Sequence, residues 1–299
     1  MPTSRLRVAS MLSCVVFADT AAAQAPAPPG VPGLSYRLDR VADGVYCATA
    51  AGAPYYISNA LVIVGEEGVA VVDAGAGPDE GRALRAAIRE VTGLPVRYVV
   101  DTHFHFDHAF GTAAFEGAVV VGHETTRAQL GPDALRGRTV ASFAAGIPTQ
   151  ADKARADAGE ATVAATREAL LARAAALEAY ARELASVRPV PPEVTFPESL
   201  TLWLGRREIR LLHLGRGHTA GDIVVYLPKE RVIGTGDLFN GYIGYMGDAY
   251  VDECQTPWRS WPDSTLRPSF RATGSRSRGR RLSPPSRPAR GISGARSKP

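Results

Sequence analysis

Residues 102–108 read Thr-His-Phe-His-Phe-Asp-His, and this stretch decides how the rest of the chain is interpreted. It places His103, His105 and His108 within six residues of one another, together with the carboxylate of Asp107. Zinc prefers imidazole and carboxylate ligands in a compact arrangement. Alternate side chains of an extended segment point the same way, so the first two histidines are expected to share one side. A turn after them would bring the other two groups to the same point, and the stretch therefore predicts a metal site.

Two later segments carry the same kinds of ligand where a loop meets a predicted strand. Residues 217–222 read Gly-His-Thr-Ala-Gly-Asp, and residues 235–237 read Thr-Gly-Asp. Functional side chains of α/β proteins are commonly carried on such loops. His218 and Asp237 are therefore expected to join the metal site.

The order H-x-H-x-D-H, then G-H-T-x-G-D, then T-G-D resembles the motif order of the metallo-β-lactamase superfamily. The resemblance covers residues 36–253. It implies an α/β fold, the four-layer αβ/βα sandwich of that family, with the metal ions at one edge. An acidic residue at Asp237, where some β-lactamases use a cysteine, is more similar to the glyoxalase-II and lactonase branches.

The resemblance also implies how the ligands are shared between metal ions. The six ligands form a first group of three histidines and a second group of two carboxylates and one histidine, which are His103, His105 and His218, and Asp107, His108 and Asp237. Asp237 is expected to bridge two zinc ions, and Asp107 to act catalytically by orienting the attacking water. Zinc lowers the pKa of such a water and polarises the bond that it attacks. The implied protein is a hydrolase of an ester, lactone, thioester or β-lactam-type bond in a small-molecule substrate.

Two alternatives stay open from the sequence. Persulfide dioxygenases share this fold and hold a single iron ion on two histidines and one aspartate, which here would be His103, His218 and Asp237. The other alternative is the impaired product of a frameshifted gene. Metal analysis distinguishes the first alternative from the hydrolase, because a dioxygenase would contain iron and consume oxygen, whereas the hydrolase would contain zinc.

Hydrophobic periodicity supports the α/β assignment. An amphipathic helix is predicted over Pro78–Val91, with Leu84, Ala87, Ile88 and Val91 on its buried face. A second helical region, residues 131–192, is Ala-rich and predicts one long helix or two, inserted between the halves of the domain. The strands are predicted at Val45–Thr49, Asn59–Val64, Val69–Val72, Val96–Val100, Val119–Val121, Leu200–Leu204, Glu208–Leu214, Ile223–Leu227 and Arg231–Ile233.

The N-terminus is typical of a secretory signal. Arg5 and Arg7 precede a mostly apolar run, and residues 21–23 are alanines that suit cleavage before Gln24. Residues 1–23 are therefore predicted to be a signal peptide and residues 24–35 a Pro/Ala-rich linker. The apolar run is too short for stable membrane insertion, so a periplasmic or secreted protein is expected.

The charge distribution argues against a nucleic-acid partner. The formal net charge is +4, but residues 267–299 carry ten Lys and Arg and no acidic residue. The remaining 24 basic and 30 acidic residues give the rest of the chain a net charge of −6. No basic binding surface is therefore expected on the folded part.

The family pattern stops after Glu253. The family carries a further histidine ligand in a Pro-Gly-His-Gly-like segment, but this chain has no histidine after His218. Codons permitted for residues 254–276, read one base out of frame, encode an amphipathic helix, a strand and the segment V-L-P-G-H-G-E-P. Residues 254–299 are therefore predicted to be a frameshifted, disordered tail, with the C-terminal elements of the fold missing and one ligand of the second metal lost.

The remaining candidate residues carry smaller predictions. His213, placed within the strand Glu208–Leu214, and His123 are expected to pack or to support ligands. Asp222 is expected to hold its loop by accepting backbone N–H bonds. Tyr242 and Tyr245 are expected to line the mouth of the site.

Overall fold

A computed structural model describes residues 33–52, 58–131, 140, 144–239 and 245–253. The predicted signal peptide at 1–23 and the predicted frameshifted tail at 254–299 lie outside these residues. So do Tyr242 and residues 24–32 of the predicted linker.

In the described part of the chain, the first sheet contains seven strands: β1 (Ser35–Ala42), β2 (Val45–Ala51), β3 (Ala60–Val64), β4 (Val69–Val72), β5 (Val96–Asp101), β6 (Val119–His123) and β7 (Val194–Phe196). They lie side by side in sequence order. Strands β1 to β4 pair antiparallel, whereas β4 to β7 pair parallel. The carboxyl ends of β4 and β5 therefore meet at one edge of the sheet.

The second sheet, within the same described residues, contains four strands: β8 (Ser199–Leu204), β9 (Arg207–Leu212), β10 (Val224–Leu227) and β11 (Val232–Gly234). Their order is β11-β10-β9-β8, and all pairs are antiparallel. Strand β8 alternates between exposed Trp203 and buried Leu202 and Leu204, which is the pattern of a sheet with one face on the core.

The main core lies between the two sheets. Leu61 and Ile63 of the first sheet belong to one buried cluster with Leu204, Ile209 and Leu211 of the second. Burying apolar surface of this kind contributes about 25 cal/mol per Å² to folding, so face-to-face packing of the sheets stabilises the domain. The predicted α/β sandwich is confirmed.

Helix α1 (Pro78–Val91) covers the other face of the first sheet and has the bounds that the periodicity predicts. Proline at the start suits the helix, since the first amide has no intrahelical acceptor. Leu84 and Ile88 are buried against Val99 of β5. Val91, expected on the same buried face, is instead exposed because it is the last residue of the helix.

Four further α-helices have described bounds: α2 (Phe106–Ala109), α3 (Glu124–Leu130), α4 (Ile147–Glu160) and α5 (Ala164–Leu184). Two 3₁₀ helices span Phe110–Ala114 and Gly236–Leu238. From residue 144 onward, the Ala-rich region forms two helices, α4 and α5, which pack on each other. Leu177 and Tyr180 of α5 pack with Phe110 near the metal motif. Although α5 has 21 residues, neither it nor another described helix is apolar enough to cross a bilayer.

Candidate metal centre

The motif of residues 102–108 begins where strand β5 ends, at Asp101. His103 and His105 lie in the segment that follows, and helix α2 starts directly after His105. The first turn of this helix is the turn expected at that position. It brings the ring of His108 to 4.1 Å from the ring of His103, measured between centroids.

The three histidines of the first group converge. His103, His105 and His218 each offer a ring nitrogen, and these nitrogens lie within 4.8 Å of one another. The closest recorded approach is 2.9 Å, between His218 Nε2 and His105 Nδ1. His218 is carried by the loop between β9 and β10, and Ile223 N in this loop donates to the Thr102 carbonyl at 3.0 Å. This bond joins the second sheet to the motif at the end of the first.

The second group lies next to the first. Its members His108 and Asp237 offer ligand atoms within 4.8 Å of each other and of a ring nitrogen of His103, which belongs to the first group. Asp237 Oδ1 lies 3.4 Å from His108 Nε2, and its Oδ2 lies 3.5 Å from His218 Nε2. Asp107 Oδ2 is 3.7 Å from His108 Nε2. One oxygen of Asp237 therefore lies beside His108 and the other beside His218.

Two buried ring nitrogens fit a metal ion. His103 Nε2 and His108 Nε2 have no hydrogen-bond partner among the described residues, and their side chains are almost fully buried. A buried polar atom without a partner costs about 1–3 kcal/mol, so two adjacent ones call for a ligand. Imidazole nitrogens with nearby carboxylates form a donor set that suits zinc or iron. The residues present therefore fit the group that the family implies.

Asp73, which the sequence analysis did not identify, fixes the orientation of two of these rings. Thr102 Oγ1 donates to Asp73 Oδ2 at 2.9 Å, so the hydroxyl oxygen accepts from His103 Nδ1 at 3.1 Å. His108 Nδ1 donates to the same Asp73 oxygen at 2.8 Å. Each ring therefore donates through Nδ1, which directs its Nε2 toward the cluster.

A sequence signal for Asp73 does exist. Asp73 is a single carboxylate directly after the apolar strand β4, at the edge of the sheet where the metal motif follows β5. Asp248, which contacts His105, has no comparable signal, because it lies in a loop and outside every motif.

The charges of the cluster follow from burial and mutual proximity. Burial, and then the neighbouring imidazoles, hold the pKa of His103 well below its usual range. Burial and the adjacent His218 lower the pKa of His105 to about 4, and burial also lowers the pKa of His218. Burial acts the same way on His108, but the surrounding carboxylates outweigh it and raise its pKa. At neutral pH the first group therefore has the neutral rings that a metal ligand needs.

The loop that carries His218 is stabilised by the carboxylate of Asp222, which lies in the same loop. Asp222 Oδ2 accepts from Thr219 N at 2.8 Å, and its Oδ1 accepts from Thr219 Oγ1 at 2.7 Å, as expected for a turn aspartate. His213 Nδ1 donates to the Asp222 carbonyl at 2.8 Å and stacks on His123 with ring centroids 4.0 Å apart. Both histidines therefore pack, as predicted. The placement of His213 within a strand is wrong, because β9 ends at Leu212.

The backbone at position 236 requires the glycine that precedes Asp237. Gly236 has a φ of +49°, a left-handed conformation that residues other than glycine rarely adopt. A Cβ at this position would lie 2.4 Å from Thr102 Oγ1. The absence of a side chain lets the Asp237 loop approach the motif closely enough to place the carboxylate in the cluster.

Residues 245–253 form another side of the centre. The ring of Tyr245 lies 5.7 Å from the ring of His105, and 53% of Tyr245 is exposed, so it stands beside the cluster as predicted. Asp248 Oδ2 lies 3.1 Å from His105 Nε2. Asp248 is therefore a contact of the cluster that the motifs do not include.

Comparison with known proteins agrees with this geometry. The family model described as the metallo-beta-lactamase superfamily matches residues 53–282. A linear primary-alkylsulfatase from Pseudomonas sp. (strain ATCC 19151) is 30% identical over 194 residues, which are 60% of this chain and 33% of that protein. The chain thus spans about one third of the length of that relative.

Two further proteins have the family in their names. A metallo-beta-lactamase type 2 from Elizabethkingia meningoseptica is 22% identical over 226 residues, which are 73% of this chain and 69% of that protein. The solved structure of a metallo-beta-lactamase from Pontibacter korlensis superposes with a TM-score of 0.48 and 21% identity, covering 75% of this chain and 84% of that one. Since the family model matches more than half of the chain and its three motifs meet at one edge of the sandwich, the chain belongs to the metallo-β-lactamase superfamily.

Proposed function

We propose that this chain is an exported zinc hydrolase that cleaves an ester, lactone, thioester or β-lactam-type bond in a small molecule. One or two zinc ions would be held by the first group of three histidines and by the second group of Asp107, His108 and Asp237. The observation that carries the proposal is the pair of buried nitrogens, His103 Nε2 and His108 Nε2, which have no hydrogen-bond partner in the described residues.

When bound, zinc supplies Lewis acidity and a hydroxide nucleophile near neutral pH, because it lowers the pKa of water. The protein groups around the zinc would hold the ion and orient the attacking water. Asp237 presents one oxygen to each ligand group. Burial raises the pKa of Asp107 to about 6, which is still below neutral pH. The side chain is therefore mostly ionised at pH 7, so it accepts a hydrogen bond from the attacking water and orients it.

The bond class is to be found with a substrate panel. The relatives are named for an alkyl sulfate and for a β-lactam, so a linear primary alkyl sulfate and a β-lactam are tested beside an aryl ester, a lactone and a thioester. We expect hydrolysis of at least one member, loss of this activity after treatment with a chelator, and recovery when zinc is restored.

Two ligand variants test the site. Both His103→Ala and His218→Ala should empty the tighter site and abolish hydrolysis, since zinc sites with three protein ligands seldom tolerate loss of one. His123→Ala is the matched control, because His123 is buried but lies outside both ligand groups. Normal metal content in both ligand variants would contradict the proposal.

A mononuclear iron centre is the second candidate. A ring nitrogen of His103 lies within 4.8 Å of the ligand atoms of both His218 and Asp237, and Asp237 Oδ2 lies 3.5 Å from His218 Nε2, so two histidines and one aspartate are available to one ion. Purified protein that carries iron and consumes oxygen with a persulfide, but does not hydrolyse the panel, would assign the chain to the dioxygenases.

Export is tested separately. N-terminal sequencing of the protein from its host should find a mature chain that begins at or near Gln24. A chain that retains Met1 in bulk would overturn this part of the proposal.

A further inference from the structure

The segment of residues 245–253 reaches the metal centre through one carboxylate. Asp248 Oδ2 lies 3.1 Å from His105 Nε2, although the two residues are 143 positions apart in the chain. Their side chains are mostly buried, with 12% exposure for His105 and 23% for Asp248. The contact is therefore largely shielded from water, which strengthens a charge-assisted hydrogen bond.

The segment is fastened to the loop that carries His218. Tyr250 N donates to the Gly217 carbonyl at 2.8 Å. Arg216 Nε donates to Glu253 Oε2 at 3.0 Å, and the Arg216 guanidinium carbon lies 4.2 Å above the centre of the Tyr250 ring. These contacts tie the segment to Arg216 and Gly217, directly before His218, so the position of Asp248 is set by the same loop that positions His218.

The contact decides which nitrogen of His105 carries the proton. An ionised carboxylate only accepts hydrogen bonds, so His105 Nε2 must be the donor to Asp248. The lone pair is then on His105 Nδ1, the nitrogen that lies 2.9 Å from His218 Nε2. His103 has the opposite arrangement, with the proton on Nδ1. His105 therefore needs a partner on its far side that Asp73 does not supply.

We propose that Asp248 is a positioning residue of this metal centre, which holds His105 in the tautomer whose Nδ1 lone pair faces the ligand cluster. The inference rests on the proposed function only in taking His105 as a metal ligand. Hydrogen-bonded partners of ligating histidines typically change metal affinity about 10–100-fold when they are removed. Asp248 is thus expected to affect zinc binding without touching zinc or substrate.

The test uses the full chain with three substitutions at one position and a control. Asp248→Ala removes the acceptor, and Asp248→Asn keeps the volume but lets the side chain donate as well as accept. Asp248→Glu retains the carboxylate and serves as the conservative rescue. Asp252→Asn is the matched control, because Asp252 lies in the same segment with an exposed side chain.

Two measurements are made on each protein. Long-range ¹⁵N–¹H NMR of the histidine side chains in the chelator-treated protein reports the tautomer of His105, assigned by the signal that His105→Gln loses. Competition with a chromogenic chelator reports zinc affinity. We expect the Nε2–H tautomer in the wild-type chain and its loss in Asp248→Ala, with zinc affinity about 10–100-fold lower. In Asp248→Asn the amide can donate to His105 Nε2 or accept from it, so the tautomer population and the zinc affinity should fall by less. Asp248→Glu should recover part of each effect, and Asp252→Asn should match the wild type.

The outcomes separate the two proposals. If Asp248→Ala and Asp248→Asn keep the Nε2–H tautomer and bind zinc as Asp252→Asn does, Asp248 is not a positioning residue. If the wild-type chain binds no zinc, the proposed function fails, while the NMR measurement still decides whether Asp248 sets the tautomer. Far-UV circular dichroism shows which variants are folded, and Asp248→Asn is the reference if Asp248→Ala is not.

Discussion

The carboxylate of Asp73 accepts a hydrogen bond from His108, with 2.8 Å between Asp73 Oδ2 and His108 Nδ1. The same oxygen accepts from Thr102, whose hydroxyl in turn contacts His103. One buried side chain at the end of β4 therefore orients two predicted ligands at the end of β5. This relationship joins the two neighbouring parallel strands at the edge where the metal centre lies.

Replacing Asp73 should weaken both the metal centre and the fold. In Asp73→Asn one oxygen acceptor becomes a donor, so Thr102 or His108 loses its partner. We expect zinc affinity to fall about 10–100-fold. The unfolding free energy of the metal-depleted protein should fall by about 1–3 kcal/mol, because a buried donor is left without an acceptor. Chelator competition and urea denaturation measure the two effects.

The control for Asp73 is Asp43→Asn, since Asp43 is 89% exposed and takes no part in the cluster. Asp73→Asn protein with the zinc affinity and stability of this control would show that the hydrogen bonds of Asp73 are not needed.

Adding a methyl group at Gly236 should displace the Asp237 loop. Gly236→Ala combines a left-handed backbone, which costs about 1 kcal/mol for a residue with a Cβ, with a contact 2.4 Å from Thr102 Oγ1. Gly117→Ala is the control, because Gly117 also has a positive φ, +83°, but nothing lies within 4 Å of its added Cβ. We expect Gly236→Ala to lose more stability than Gly117→Ala, and to lose zinc affinity where the control does not. Equal losses in urea denaturation and chelator competition would refute the close-approach argument.

The buried carboxyl group of Glu80 should make stability fall as the pH rises. Burial raises the pKa of Glu80 from 4.5 to about 7, although its Oε2 accepts from Ala76 N at 2.7 Å. The folded state therefore binds the proton more tightly than the unfolded state. Stability is retained below pH 4.5 and is lost as the pH rises toward 7, by about 3 kcal/mol in total.

Glu80→Gln lacks this ionisable group, so its unfolding free energy relative to the wild type should increase between pH 4.5 and about 7. Urea denaturation at several pH values measures the difference. Glu90→Gln is the control on the same helix, because Glu90 is exposed. If the unfolding free energy of Glu80→Gln relative to the wild type does not change with pH, as is expected for Glu90→Gln, then Glu80 does not titrate in this range.

Sequencing the gene across the codons for Glu253 and Cys254 tests the predicted change of reading frame. We expect the alternative frame to stay open and to encode the P-G-H-G segment. Restoring the base should add a histidine to the second ligand group and raise zinc stoichiometry toward two. Stability should rise with it, since a ligand that binds only the folded state adds to the free energy of unfolding. Early stop codons in that frame would end the frameshift hypothesis and leave residues 254–299 as a genuine extension.

Much of the fold could be predicted from short windows of sequence. Helix α1 occupies the predicted range Pro78–Val91, and β4 occupies the predicted Val69–Val72, because the periodicity of buried side chains is contained within each element. The break between α4 and α5 could not be placed in the same way. The residues between them are Ala161, Thr162 and Val163, which include neither Gly nor Pro.

The same distinction applies to the candidate site, where some residues could be predicted from short motifs and others could not. The sequence alone determined the six candidate ligands, since their types, spacing and order lie within three short motifs. Only the tertiary structure decided which groups orient them: Asp73 lies 35 residues from His108, and Asp248 lies 143 residues from His105. A hydrogen bond between such distant residues depends on the pairing of β4 with β5 and on the return of the chain past His218. Neither is encoded in the residues next to the aspartates, so a motif reveals the ligands but not the carboxylates that hold them.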